Sequence, residues 1–112
     1  MTKIYHNPRC RKSREALQLL QEKNIEPEII LYLKEPLSRS ELKSLLKKLN
    51  LKPLEIIRKK EKEFAPFKGK SLTDDQWIDI LVEIPKLIER PIVIQGDKAA
   101  IGRPKENILE IL

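Results

Sequence analysis

The chain has 112 residues, a formal net charge of +6 and a pI near 9.5, with 40% hydrophobic and 36% charged residues. That length suits one domain, residues 1–112, around a single core, and the lone cysteine excludes an internal disulfide. The start Met1-Thr2-Lys3 lacks the apolar core of a signal peptide, no apolar run approaches the roughly 18 residues of a membrane span, and a cytoplasmic setting without membrane association is expected.

The first apolar segment, Ile4-Tyr5, reads as a strand that turns at Asn7-Pro8 into a helix from about Arg11 to Lys23, with Ala16, Leu17 and Leu20 inward and Asn24 closing it. Glu28 to Tyr32, after Pro27, is a β-branched run of strand length. A strand, a helical crossover and a strand predict a parallel pair. Ser38 with Glu41 is a capping box ahead of Leu42, Leu45, Leu46 and Leu49, which predicts a second helix. Pro53 opens a short helix through Leu54, Ile56 and Ile57, followed by the charged run Arg58 to Glu63 and a loop from Phe64 to Ser71. Thr73 with Gln76 caps a third helix that buries Trp77, Ile80, Leu81 and Ile84 and stops near Pro85. Pro91 to Gln95 and Lys98 to Gly102 flank Gly96-Asp97 as an antiparallel hairpin, and Arg103-Pro104 opens a last helix with Ile108, Leu109 and Leu112 facing the core. This order predicts an α/β, thioredoxin-like mixed sheet with a helical insertion, about 38–88, between its β-α-β and β-β-α halves.

Cys10 falls where the first strand hands over to the first helix. The first N–H groups of a helix lack intrahelical partners and carry the positive end of its dipole, so they stabilise an anion such as a thiolate. Arg9, Arg11, Lys12 and Arg14 surround it in sequence, with His6 and Ser13 close by. Together they predict a thiol below its free pKa of about 8.5, hence a nucleophile. Arg58, Arg90 and Arg103 stand at element boundaries, and a guanidinium fork matches a tetrahedral oxyanion as a lysine cannot. Aromatics are only 4%, and the remaining cations are interleaved with Glu along helical segments as on a solvated face, so no nucleic-acid partner is expected.

His6-Asn7-Pro8-Arg9-Cys10 with Ser13-Arg14, then Glu26-Pro27, Tyr32-Leu33, Arg58-Lys59, Leu72-Thr73-Asp74-Asp75, Arg90-Pro91-Ile92-Val93 and Arg103-Pro104 with Ile108-Leu109 resemble the glutaredoxin-linked arsenate reductase family over essentially the whole chain. The resemblance implies a reductase with arsenate as substrate, glutathione as co-substrate and glutaredoxin as partner; a monomer with no bound cofactor or metal is expected. It implies Cys10 as nucleophile, His6 as the histidine that helps depress its pKa, and Arg58, Arg90 and Arg103 as oxyanion-binding residues. Ser13 and Arg14 match the helix-start positions of the same motif, the first counted with the catalytic residues and the second with those that bind substrate. Characterised members have small residues between the cysteine and Ser13, whereas this chain has Arg11-Lys12, and it lacks the C-terminal extension of longer members. With one cysteine, no second protein thiol can resolve an adduct, so the electrons come from outside. Two alternatives share the fold: a glutathione-dependent thiol-disulfide oxidoreductase, and a redox-linked transcription regulator binding RNA polymerase. Regulators with a redox switch use a C-x-x-C pair, and the second position here is Ser13.

Overall fold

In the computed structural model, which describes residues 1–112, strands β1 (Thr2–Tyr5), β2 (Glu28–Ile30), β3 (Ile92–Gln95) and β4 (Lys98–Ile101) share one mixed sheet in the order β2-β1-β3-β4. β1 and β2 run parallel with Ile4 opposite Ile29, and β1 and β3 run antiparallel with Ile4 opposite Val93. Residue contacts divide the chain into two units, Met1–Glu35 with Arg90–Leu112, and Pro36–Glu89. The whole sheet lies in the first.

Within that unit, helix α1 (Arg11–Glu22) buries Ala16, Leu19 and Leu20 against Ile4, Val93 and Ile108, with Leu17 partly covered. Each such leucine contributes about 2 kcal/mol through the apolar area it removes from water. Asn24, at φ 61°, turns the chain out of the helix, and Ile25 N–H returns to the Leu20 carbonyl at 2.9 Å. β2 stops two residues earlier than its apolar run suggests, because the Lys34 and Glu35 N–H groups both close onto the Leu31 carbonyl and turn the chain out of the sheet. Tyr32 is nonetheless buried, at 1% exposure. The β3-β4 hairpin turns at Gly96, φ +60°, followed by Asp97 with negative φ, the pattern of a type II′ turn.

The C-terminal segment is a 3₁₀ helix, Lys105–Ile111, rather than the expected α-helix. Three residues per turn align 105, 108 and 111. Ile108 is therefore fully buried, while Leu109 and Leu112, expected inside, are each 43% exposed.

The second unit holds α2 (Arg39–Leu49) and α3 (Asp74–Glu83), each opened by the capping box read from sequence, Ser38 with Glu41 and Thr73 with Gln76. Leu42, Leu45 and Leu46 are buried on α2, and Trp77, Ile78 and Leu81 on α3. The helices are tied on their outer side by Arg39 to Asp75 and Asp79. The stretch expected as loop contains a 3₁₀ turn, Lys62–Phe67, because Phe64 packs in a stacked arrangement on Trp77 with ring centroids 6.1 Å apart. No helix is long and apolar enough to cross a membrane.

Candidate active site

The loop from β1 to α1 is built by its own short hydrogen bonds. His6 N–H extends the parallel ladder onto the Ile30 carbonyl at 2.9 Å, Asn7 Oδ1 accepts from Arg9 N–H at 3.1 Å, and Cys10 N–H closes onto the Asn7 carbonyl at 2.9 Å. Ser13, completely buried, pins the loop to the helix. Its Oγ accepts from Asn7 N–H at 3.0 Å and pairs with His6 Nδ1 at 2.6 Å. Arg14 Nη1 donates to the Pro8 carbonyl at 2.9 Å and clamps the same loop from outside. Cys10 is then the N-cap of α1, in extended backbone at φ −93° and ψ 120°, with its sulfur half-buried.

Two arginines from the other end of the chain reach that sulfur. Antiparallel pairing sets Tyr5 opposite Ile92 and Ile92 opposite Ile101, so the residues before β3 and after β4 come to the end of β1 where the cysteine loop begins. Arg103 donates through Nε to the Arg90 carbonyl at 2.6 Å and through Nη2 to Cys10 Sγ at 3.4 Å. The Arg90 guanidinium also interacts electrostatically with both Cys10 and Tyr32. Both Arg-Pro peptide bonds, Arg90-Pro91 and Arg103-Pro104, are cis. Gly102, between β4 and Arg103, donates to the Pro91 carbonyl at 2.8 Å, and an added Cβ there would lie 2.9 Å from Pro91 Cγ. Only glycine lets these two Arg-Pro junctions approach so closely.

Burial pushes the Cys10 thiol up, but the Ser13 backbone N–H, the hydrogen bond and charge of Arg90 and the charge of Arg103 outweigh it together, and the thiol lies below its ordinary value. This redistributes the roles expected from sequence. The helix-start N–H acts as predicted, at Ser13. The cations that matter are Arg90 and Arg103 rather than the neighbours Arg9, Arg11, Lys12 and Arg14, because Arg11 and Lys12 turn outward to Glu15 at 3.3 and 3.7 Å and Arg14 is spent on a carbonyl. His6 is held below the usual histidine value, first by burial and then by the Arg14 charge, so it is neutral at pH 7. Its contact is Ser13.

Arg58 belongs to the second unit. Its backbone N–H meets the Leu87 carbonyl at 2.8 Å beside the Ile57–Ile88 bridge, and its guanidinium is held by Glu61 at 3.2 Å and Glu89 at 3.0 Å. Sequence reasoning passed over Tyr32 as a strand residue. Its signal was a tyrosine at the end of an apolar run, where a polar tip finds a partner when buried.

A single cysteine at the helix start after β1, with an arginine from before β3 and another from after β4 directed at it, lies at the end of a mixed sheet of thioredoxin-like type. The chain belongs to the ArsC family, whose model matches residues 5–111. It is 48% identical to the uncharacterized protein YfgD of Escherichia coli K12 over 98% of this chain and 95% of that one, and 46% identical to an arsenate reductase of Haemophilus influenzae over 97% of each. A solved structure of an arsenate reductase from Vibrio cholerae superposes with a TM-score of 0.96 at 46% identity, covering 99% of this chain and 97% of that one.

Proposed function

We infer that the chain is an arsenate reductase, converting arsenate to arsenite through Cys10. The observation that carries the reading is the position of Arg103 Nη2, 3.4 Å from a sulfur whose charge Arg90 also favours. A thiolate repels an arsenate anion. Two guanidiniums converging on it offset that repulsion and offer planar donors to the oxyanion. Arg14 acts by holding the loop, and the Ser13–His6 pair keeps the helix-start N–H aimed at the sulfur. The resemblance also assigns Arg58 to the oxyanion; since Glu61 and Glu89 hold its fork, arsenate binding is assigned here to Arg90 and Arg103.

In the first step the Cys10 thiolate attacks arsenic, an S–As bond forms, and an arsenate oxygen leaves as water after protonation, with no change of oxidation state. A second thiolate then attacks the Cys10 sulfur. An S–S bond forms, the S–As electron pair departs with arsenic, and arsenic(V) becomes arsenic(III), released as arsenite. Since the chain has no other cysteine, that thiol is external, and the family resemblance implies glutathione. Glutaredoxin reopens the mixed disulfide by thiol exchange, returning the Cys10 thiolate to a monomeric enzyme in the reducing cytoplasm.

The purified protein with arsenate, glutathione, glutaredoxin and glutathione reductase is expected to consume NADPH in proportion to arsenate, and Cys10→Ser to abolish that consumption. Steady turnover by the serine variant overturns the reading.

A further inference from the structure

A cavity of about 270 Å³ lies against the loop that carries the nucleophile, between His6 to Arg9 on one side and Leu31, Leu33 and Lys34 on the other. Neither Arg90 nor Arg103 lines it. Its walls are mostly apolar, yet two exposed cations, Arg9 and Lys34, stand at it. The ion pairs of the molecule form elsewhere, on Arg11, Lys12, Arg39, Lys43, Arg58 and Lys86, so these two charges have no carboxylate.

We propose that this cavity is the subsite for the resolving thiol, a small peptide-like thiol with a carboxylate at each end, held by Arg9 and Lys34 with its methylenes on Pro8, Leu31 and Leu33. The proposal rests on the reading above, in which an external thiol must reach Cys10 while the oxyanion occupies the two guanidiniums. The cavity lies apart from the guanidiniums and beside the loop that carries the sulfur, with Cys10 itself outside its lining. Arg9, which lines it, is the chain neighbour of Cys10, about 3.8 Å away between Cα atoms, and an extended tripeptide spans roughly 10 Å, enough to sit in the cavity and present its sulfur to Cys10. Two carboxylates meeting two unpaired cations anchor the ends of the ligand, and the apolar wall takes its methylenes while its amide groups face water.

The test separates the subsite from the arsenate chemistry. Cys10 thiolate attacks oxidised glutathione, forming one S–S bond as another breaks and releasing glutathione thiolate, a balanced exchange that needs no arsenate. In Arg9→Gln/Lys34→Gln the rate of this exchange, followed by intact-protein mass, is expected to fall about tenfold. The rate with the uncharged disulfide of 2-mercaptoethanol is expected to stay at the wild-type value. Leu33→Trp, filling the cavity at a position 44% exposed, is expected to lower the glutathione rate with both cations in place. In the coupled assay the double variant raises the glutathione KM and leaves the arsenate KM unchanged. Equal losses with both disulfides, or no loss with either, overturn the proposal. Selective exchange in a protein that never turns over arsenate retains the subsite and overturns the arsenate reading; arsenate turnover indifferent to all three substitutions does the reverse.

Discussion

At the first turn of α1, Arg11 and Lys12 carry their charges outward, with side chains 83% and 53% exposed, toward Glu15. At the junctions before β3 and after β4, Arg90 and Arg103 carry theirs inward onto Cys10, across 93 residues of sequence in the case of Arg103. The two regions hold the same kind of charge and act on the same sulfur unequally. A charge in water with a carboxylate beside it is screened within a few ångströms, whereas one in contact with a half-buried anion keeps several times more of its Coulomb energy. Arg11 and Lys12 even stand at the positive end of a helix dipole, an arrangement costing a few tenths of a kcal/mol that Glu15 offsets. Strand register thus brings the cations that lower the thiol pKa, and the helix supplies the Ser13 N–H.

The sharpest break of that contrast is at the fork. Arg103→Lys and Arg90→Lys each retain a charge and lose the planar pair of donors. Each is expected to raise the arsenate KM by about 10- to 100-fold, the worth of a hydrogen bond to a charged group. Each also shifts the pH midpoint of Cys10 alkylation upward. Unchanged midpoints in both variants refute the assignment of the low thiol pKa to the remote pair.

Elements whose reasons lie within a few residues were legible in the chain. The capping boxes at Ser38 and Thr73, the left-handed Asn24, the Gly96 turn and the parallel β1-β2 pair all appear where local chemistry required. Cys10 at the helix start was legible for the same reason. Three features depended on contacts that no short window holds. Leu31 and Tyr32 continue an apolar run but leave the strand, because the turn at Leu31 takes Tyr32 to Arg90. Ile108, Leu109 and Leu112 fit a 3.6-residue repeat, yet tight packing at Gly102 and Ile108 accompanies a 3₁₀ segment. The cations around Cys10 were misassigned because proximity in sequence stood in for proximity in space.

A subtler break lies behind Arg90. Tyr32 is 1% exposed and interacts electrostatically with the Arg90 guanidinium, which in turn interacts with Cys10. Tyr32→Phe keeps the ring and removes the hydroxyl, so the arsenate KM is expected to rise about three- to tenfold with kcat less affected. The alkylation midpoint should move upward while the far-ultraviolet circular dichroism stays the same. A KM and midpoint both equal to wild type exclude Tyr32 from this role.

The remote pair also leaves a mark on stability. The Cys10 pKa is depressed in the folded state, so the unfolded chain binds the proton more readily. The stabilising contribution is fully present above the unfolded value of about 8.5 and is lost as pH falls through the lower folded value. His6, also depressed, adds a loss beginning below its unfolded value of about 6.5. Chemical denaturation should therefore show wild type gaining on Cys10→Ser as pH rises toward 8.5, then a constant difference above it. A difference flat across this range contradicts a thiolate stabilised by the fold.

The smallest effect is expected from the near cations, and it tests the other side of the contrast. Arg11→Ala/Lys12→Ala removes two charges within two residues of the sulfur, more formal charge than Arg103→Lys disturbs. Yet both side chains are mostly in water and both face Glu15, so their removal also frees a carboxylate in the first turns of the helix, where the dipole favours it. The stability change should stay within about 0.5 kcal/mol, and the alkylation midpoint should move far less than in Arg103→Lys. At low salt the double variant should show its only measurable shift, vanishing by about 0.15 M as the Debye length shortens to about 8 Å. A midpoint that rises as far as it does in Arg103→Lys, and stays there at high salt, would mean that the helix start itself holds the thiolate and that strand register contributes only the oxyanion forks.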